Sequence, residues 1–378
     1  MEVLHIAGGF AQHPLYAQLV SHLSEYLEKQ LIIAPVRSAA EAATKPTGIP
    51  DTVEYELRHI LRPHHRVLFR TKIRLIYKTV CRLVDPGNFD LIHAHTLYSD
   101  GAVALRLKEQ FGLPYVVAFR NTDLNVFMRW RPDLSQIGRR VLQEAAQVVF
   151  LSPAYRTKLL AGLQPDLRSV VKLKSSVLPN GLDLFWLEGE ARLSRTGPQL
   201  RLLYVGDASH NKNIGATLRA AELLARRSSV QLTLVGGGRA EPRMRRWLEQ
   251  YDFVRHLGRI DDREELRSIY REHDIFVMPS FRETFGVVYL EALSQGLPVV
   301  HSRGQGIDGY FSPGTVSEAV DPGSPSSVAA GIEALSERLS SARPIAMEEA
   351  RKFSWSQIAK AYADIYIKAT AQEEAEAV

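Results

Sequence analysis

The chain has 378 residues and 42.4 kDa, with 45% hydrophobic and 24% charged residues, a formal charge of +5 and one cysteine, Cys81. That length calls for two or three domains, and that composition excludes wholesale disorder. A lone cysteine excludes an internal disulfide framework and a cysteine-rich zinc site, and no apolar run reaches the ~18 residues of a membrane span.

From the N-terminus, VLHIAG reads as a first strand; the opening MEVLHIAGGF lacks the basic n-region of a signal peptide, so a reducing cytosol is expected. QLIIAP, DLIHAH, YVVAF, VVFLS and VVKLKSSVLPN follow as further strands. After turn-forming and charged residues from Pro179-Asn180-Gly181 to Thr196-Gly197-Pro198, a second series begins with RLLYVG, VQLTLVG, FVRHLG, IFVMPS and PVVHS. Short apolar runs alternating with amphipathic helices indicate buried parallel strands joined by crossovers, hence two doubly wound α/β domains in series. The expected division is 1–184, 185–353, and a final segment 354–378. There FSWSQIAKAYADIYIKA forms a helix, capped by Ser354 or Ser356, that packs back on the first domain, before an acidic tail QEEAEAV.

Charge is uneven. Residues 1–200 hold 25 Lys+Arg against 18 Asp+Glu, and residues 201–378 hold 22 against 24, so anionic surfaces are expected at the first half. Over 66–84, RVLFRTKIRLIYKTVCRLV, helical spacing spreads Arg66, Arg70, Arg74, Lys78 and Arg82 along one arc. Leu68, Phe69, Ile73, Leu75, Ile76, Val80 and Leu83 take the other side, and Lys72 is the one charge out of place. The arc is either a solvated helix face or a surface for anionic lipid headgroups or a lipid-diphosphate acceptor. Nucleic acid is not expected, because no recognised module or interleaved aromatic residues accompany the charge.

Ligands of parallel sheets sit beyond the carboxyl ends of strands, where backbone N–H groups favour anions. Gly8-Gly9, Gly206 to Asn213 (GDASHNKN), Gly236-Gly237-Gly238 and Pro279 to Glu291 (PSFRETFGVVYLE) are such ends. In the last, Phe285, Gly286 and Val287 lie at a helix entry with N–H groups free for an anion. Glu283 and Glu291, eight residues apart, suit two ends of an elongated ligand rather than a convergent acid/base pair. The alternative has Glu283 capping the helix and Glu291 half-solvated. Lys212 is either a point charge for a diphosphate or a solvent-facing lysine. Neither a Walker loop nor GxGxxG, DxD or GxSxG occurs, and His93 and His95 on one strand face have no evident third ligand, so no metal or other cofactor is expected.

HDIFVMPSFRETFGVVYLEALSQGLPVV resembles the E-x7-E segment of GT4-type retaining glycosyltransferases, and the likeness extends to Gly-Gly, DLIHAH with Gly101, VLPNGLD, YVGDASHNKNI, VRHLGRI and FSWSQIAKAY. It implies a GT-B fold, two Rossmann-like domains facing a cleft that closes to exclude water. It also implies a nucleotide sugar, UDP-linked rather than GDP-linked by preference, as donor to a glycan, lipid-linked or cell-surface polysaccharide acceptor. Glu283 would hold donor-sugar hydroxyls and Glu291 the ribose. Phe285, Gly286 and Val287 would offer N–H groups to donor phosphate or sugar. Lys212 would pair with the diphosphate, and Gly8-Gly9 would allow its close approach. After Gly206 the family often has a basic residue where this chain has Asp207, which leaves Ser209, His210 and Asn211 to assist Lys212. Arg120 replaces a frequent histidine, so it can bind sugar or phosphate but is no base. Retention then follows from front-face attack. A nucleotide-sugar epimerase, a hydrolase and a non-catalytic nucleotide-sugar binder remain alternatives on this fold. The expected location is cytoplasmic, or peripheral on the cytoplasmic face of a membrane.

Overall fold

A computed structural model describes residues 1–188, 197–237, 245 and 248–377, with side chains to residue 371. The expectations for Thr196, Gly238 and the acidic tail lie outside the described residues and side chains. The chain divides into two compact units: Met1–Leu151 with Tyr155–Gly181 and Trp355–Val378, and Ser152–Ala154 with Leu182–Ser354. The passage between units therefore falls at Gly181–Leu182 rather than at 184. Leu182 N–H already bonds Phe353 O, and Asp183 caps the short helix Leu184–Leu187 through Phe185 N–H.

The first unit holds seven parallel strands: β1 (Glu2–Ile6), β2 (Lys29–Val36), β3 (Val53–His59), β4 (Leu91–Ala94), β5 (Tyr115–Phe119), β6 (Gln147–Phe150) and β7 (Ser175–Val177). Their order is β3-β2-β1-β4-β5-β6-β7. The second holds β8 (Leu200–Val205), β9 (Val230–Val235), β10 (Val254–Gly258), β11 (Ile275–Val277), β12 (Val299–Ser302) and β13 (Ser317–Val320), ordered β10-β9-β8-β11-β12-β13. The central strands are unbroken apolar runs because helices cover both faces of each sheet.

Three elements depart from the sequence reading. VEYELRH and SEAV are strands at sheet edges, where polar side chains meet solvent and no apolar run forms. VVKLK is not a strand: Val170 to Leu173 end the helix Pro165–Leu173, which opens on proline and buries Val171 while Leu173 lies outside. Only Ser175–Val177 of that segment joins the sheet.

The helix Trp355–Ala377 belongs to the first unit. Ile358, Ala359, Tyr362, Ala363, Tyr366 and Ala369 pack with Val3, Leu91, Val116 and Val149 of its sheet. Gly181 admits the Trp355 indole, since a Cβ there would lie 2.3 Å from the ring. Among the described residues, no helix is long and apolar enough to cross a membrane.

In each sheet the strand order reverses once, between β1 and β4 and between β8 and β11. Loops leaving adjacent strands diverge at such a switch point and open a crevice at the carboxyl ends.

Candidate functional site

At the second switch point the loop after β8 meets the loop after β11. Asn211 joins them: its Nδ2 donates to Arg282 O at 2.8 Å, its Oδ1 accepts Arg282 N–H at 3.1 Å, and its carbonyl accepts Phe281 N–H at 2.8 Å. Asn211 thereby holds the two loops together through their backbone. Asn213, in the left-handed region at φ 55°, donates from Nδ2 to Pro279 O and Pro322 O. Asp207 accepts Ser209 N–H at 2.8 Å, so its charge closes a local turn. His210 stacks on Phe281 with ring centroids 5.1 Å apart.

This bracing brings Lys212 Nζ to 2.6 Å from Glu283 Oε2. Ser280 Oγ lies 3.4 Å from the same oxygen, and Thr284 N–H donates to Oε1 at 3.2 Å. Glycines enclose the carboxylate. Gly286 (φ 82°) and Gly306 (φ 50°) would place a Cβ 3.1 and 3.0 Å from Glu283 Cγ, and other atoms sit closer still. Gly206 is pressed by Gly236, whose Cβ would lie 1.9 Å from Gly206 O. Gly286 is the N-cap of the helix Val287–Ser294, so Glu283 is not the cap. Tyr289 N–H closes the first turn onto Gly286 O at 3.0 Å, and the Phe285 ring turns into the core. Glu291, two turns along, accepts the Tyr270 O–H at 3.0 Å. Burial pushes its carboxyl up to about 7 against that hydrogen bond and nearby Arg263. Tyr270 escaped the sequence reading because it comes from the separate helix Arg263–Glu272.

At the first switch point Asp123 ties the loops after β4 and β5 together, accepting N–H from Leu97, Tyr98 and Arg120 at 3.1, 3.3 and 2.8 Å. Burial raises its pKa to about 6 against those bonds. Arg120 Nε donates to His95 O at 3.1 Å, and its guanidinium lies over the Tyr16 ring at 5.7 Å. Gly8 and Gly9 follow β1 and line the crevice with Lys72, Ser99 and Asp100. Asp100 is fully buried, which raises its carboxyl to about 7.

Comparison with known proteins places this pair of sheets. Residues 20–181 match the Glycosyl transferase 4-like domain, and residues 190–352 match Glycosyl transferases group 1. The D-inositol 3-phosphate glycosyltransferase 2 of Catenulispora acidiphila is 32% identical over 318 residues, 75% of this chain and 71% of that protein. This chain belongs to the GT4-type glycosyltransferases. The GT-B fold of this glycosyltransferase is likewise that of sucrose-phosphate synthase from Thermosynechococcus elongatus: TM-score 0.74, 20% identity, 98% of this chain and 100% of that one. The Anabaena HepE structure in complex with UDP and glucose aligns with TM-score 0.62 at 20% identity, over 96% and 98% of the two chains.

Within this glycosyltransferase, Lys212 and Glu283 touch, Glu291 stands apart on Tyr270, and Gly8, Gly9 and Arg120 lie in the other unit. The histidine pair gains the third member that the sequence reading did not find. His5, level with His93 on the neighbouring strand, joins His93 and His95, with one nitrogen of each ring within 4.8 Å of the others. Among the described residues this is the one such group that could hold a metal ion. The three rings are held by one another and by their neighbours. His5 Nδ1 faces His95 Nε2 at 3.1 Å, Tyr366 O–H meets His93 Nδ1 at 2.6 Å, and the Arg120 charge is close by. Burial lowers His5 to about 3 and holds His93 and His95 well below the ordinary value.

Proposed function

We propose that this glycosyltransferase moves a sugar from a nucleotide diphosphate sugar, UDP-linked by preference and GDP-linked otherwise, to an acceptor hydroxyl with retention at the anomeric carbon. The observation that carries the reading is the Lys212–Glu283 contact, 2.6 Å across the switch point of the second sheet, beside the entry of the helix Val287–Ser294. The UDP and glucose present in the Anabaena HepE complex support a nucleotide-sugar donor.

In this reading the diphosphate takes Lys212 as its partner and lies against the N–H groups of Phe285, Gly286 and Val287. Glu283, released from part of its pairing, accepts donor-sugar hydroxyls. Glu291 accepts ribose hydroxyls, with Tyr270 holding its other side. The anomeric C–O bond breaks toward the diphosphate, the acceptor oxygen attacks on the same face, and the leaving phosphate oxygen takes the acceptor proton. Lys212 and the N–H groups stabilise the departing charge, so turnover proceeds without a metal ion. Calorimetric titration of UDP and GDP against wild type and Lys212→Ala tests the placement. Unchanged affinity in the variant, or no binding of either nucleotide to wild type, overturns it. Activity lost in EDTA and restored by magnesium or manganese overturns metal independence.

A peripheral membrane location has its own observation. Arg70, Arg74, Lys78 and Arg82 are exposed on the helix Phe69–Leu83, with Arg66 in the 3-10 turn before it rather than in the helix. Arg131 reaches Arg66 O and Val67 O at 3.2 and 3.4 Å, which sets segment 126–131 beside this turn. Val67 and Trp130 are 73% and 67% exposed, and Leu68, Val126 and Met128 also face solvent. Apolar residues rimmed by arginines suit the interface of an anionic bilayer. Flotation with anionic vesicles tests this: replacing Arg70, Arg74 and Lys78 with Gln strips the protein from them at low salt, and equal flotation would leave a merely solvated face.

A further inference from the structure

His5 and His93 are partners on β1 and β4, and His95 follows two residues on. Side chains alternate across a sheet, so the three imidazoles share one face. Val3, Leu91 and Val116 are the apolar residues of that face, packed with the helix Trp355–Ala377. All three histidines are buried. Imidazoles in such a layer cost more than valine or leucine unless their nitrogens are satisfied.

The protein satisfies only half of them. His5 Nδ1 and His95 Nε2 face each other at 3.1 Å, and His93 Nδ1 meets Tyr366 Oη at 2.6 Å. His5 Nε2, His93 Nε2 and His95 Nδ1 have no hydrogen-bond partner among the described residues. Buried polar groups without a partner are few in native cores, and here three fall on adjoining rings.

The neighbours select which lone pairs converge. With Tyr366 Oη accepting from Nδ1–H, His93 keeps its lone pair on Nε2. Gln30 lies beside His5 with its Oε1 buried and also without a partner, so it can take the Nε2 proton and leave His5 its Nδ1 lone pair. That nitrogen faces His95 Nε2. Two imidazole ligands of a tetrahedral zinc ion, each at ~2.0–2.1 Å, lie about 3.3–3.4 Å apart. The 3.1 Å here needs only a small spread, and one nitrogen of each ring is within 4.8 Å of the others.

We propose that His5, His93 and His95 hold one divalent ion of the zinc class, with water as its fourth ligand. Three neutral nitrogen donors without a carboxylate suit a late first-row metal rather than magnesium or calcium. Arg120 stands near His93 and His95, and its charge lowers the affinity without removing the donor set. The ion ties β1 to β4 and, through Tyr366, to the final helix, all within the first unit. Its role is structural and independent of the sugar-transfer reading, whose Lys212 and Glu283 lie in the other unit.

The test uses the full chain, stripped of metal by a chelator and titrated with Zn²⁺ by calorimetry. One ion should bind per chain and raise Tm by about 3 °C or more at roughly a hundredfold excess over Kd. Mg²⁺ should do neither. Co²⁺ should give the intense visible bands of tetrahedral coordination, and X-ray absorption of the zinc form should count three imidazoles. His95→Gln should lower Zn²⁺ affinity by about a hundredfold or more and abolish the cobalt bands. Tyr366→Phe keeps all three ligands and should weaken affinity about tenfold, which serves where His95→Gln does not fold. His64→Gln, at an exposed histidine stacked near His65, should change nothing. The proposal is overturned if stripped wild type takes up no zinc, or if its Tm does not move, as when water fills the cluster. Equal binding of Mg²⁺, fewer than three imidazoles, loss of binding in His64→Gln, or unchanged affinity in the folded ligand or Tyr366 variant would also overturn it.

Discussion

At the second switch point a lysine and a carboxylate from two diverging loops, Lys212 and Glu283, close on each other at 2.6 Å. At the first, Lys72 rests on Ser99 Oγ at 2.6 Å with the buried Asp100 carboxyl nearby, and each favours the charged form of the other. The same strand reversal therefore carries two electrostatic states. One crevice is compensated within the chain, so an incoming anion must compete with Glu283 for Lys212. In the other, burial outweighs the attraction between lysine and carboxyl and shifts both toward their neutral forms. Loops rich in glycine and braced by Asn211 allow the first kind of closure. A lysine anchored in a helix and a carboxyl at the start of another allow only the second.

Breaking the compensated pair should give the largest change. Lys212→Ala is expected to lower kcat/KM by about 10²–10³-fold, the scale of losing one electrostatic group on a leaving charge, measured by steady-state transfer from the donor that binds. Glu283→Gln should lower turnover comparably. If either variant retains near wild-type turnover, the second crevice is not where the donor reacts.

The first crevice should respond in stability instead. Asp100 has a folded pKa of about 7 against 3.8 ordinarily. The unfolded chain therefore releases this proton from about pH 4 while the folded chain keeps it, and stability falls as pH rises between those values. Asp100→Asn should remove that loss and stabilise the protein at pH 8 by about 2–4 kcal/mol, seen as a higher Tm, with little gain at pH 4. An unchanged Tm at pH 8 would mean the carboxyl is compensated after all.

The histidine cluster beneath the first crevice gives a slope of opposite sign. His5, with a folded pKa near 3, and His93 and His95, also lowered, stay neutral in the folded state while the unfolded chain protonates them below about 6.5. Stability contributed by their neutrality is complete above that pH and is lost on acidification, at up to about 1.4 kcal/mol per pH unit for each histidine. His5→Phe should flatten the acid limb of a Tm-against-pH curve. Tyr16, Tyr366 and Arg120, which face the cluster, set its background.

The smallest effect is expected at Asn211. Asn211→Ala should cost about 1–2 kcal/mol through lost loop bracing, lowering Tm by a few degrees. UDP affinity should fall less than threefold, because the side chain is occupied by Arg282 backbone. A tenfold loss of affinity with unchanged Tm would return Asn211 to the role of a phosphate donor.

Much of the second crevice was legible in the linear order. Glu283, Gly286 and Glu291 lie within one loop and helix entry, so their spacing already sets the local geometry. The inner strands were legible for a similar reason: burial on both faces demands unbroken apolar runs. The edge strands β3 and β13 were not, since one solvated side removes that signal. In the first crevice Gly8-Gly9, Arg120 and Lys72, a charge on the wrong side of its helix, were legible, while Asp100 and Asp123 were not. His5 was one histidine in an apolar strand until β1 paired with β4.

The sequence alone determined that there are two parallel α/β units, that strand-end glycines line them, and that an E-x7-E segment opens a helix at one of those ends. These follow from local periodicity and from backbone conformations that only certain residues tolerate. The tertiary structure decided which of those ends come together. It set Lys212 against Glu283 and Tyr270 against Glu291, placed Lys72 and Asp100 in a common cavity, and gathered three histidines from two neighbouring strand ends. Each of these depends on strand order and on side chains meeting across tens of residues of chain, which local spacing does not encode.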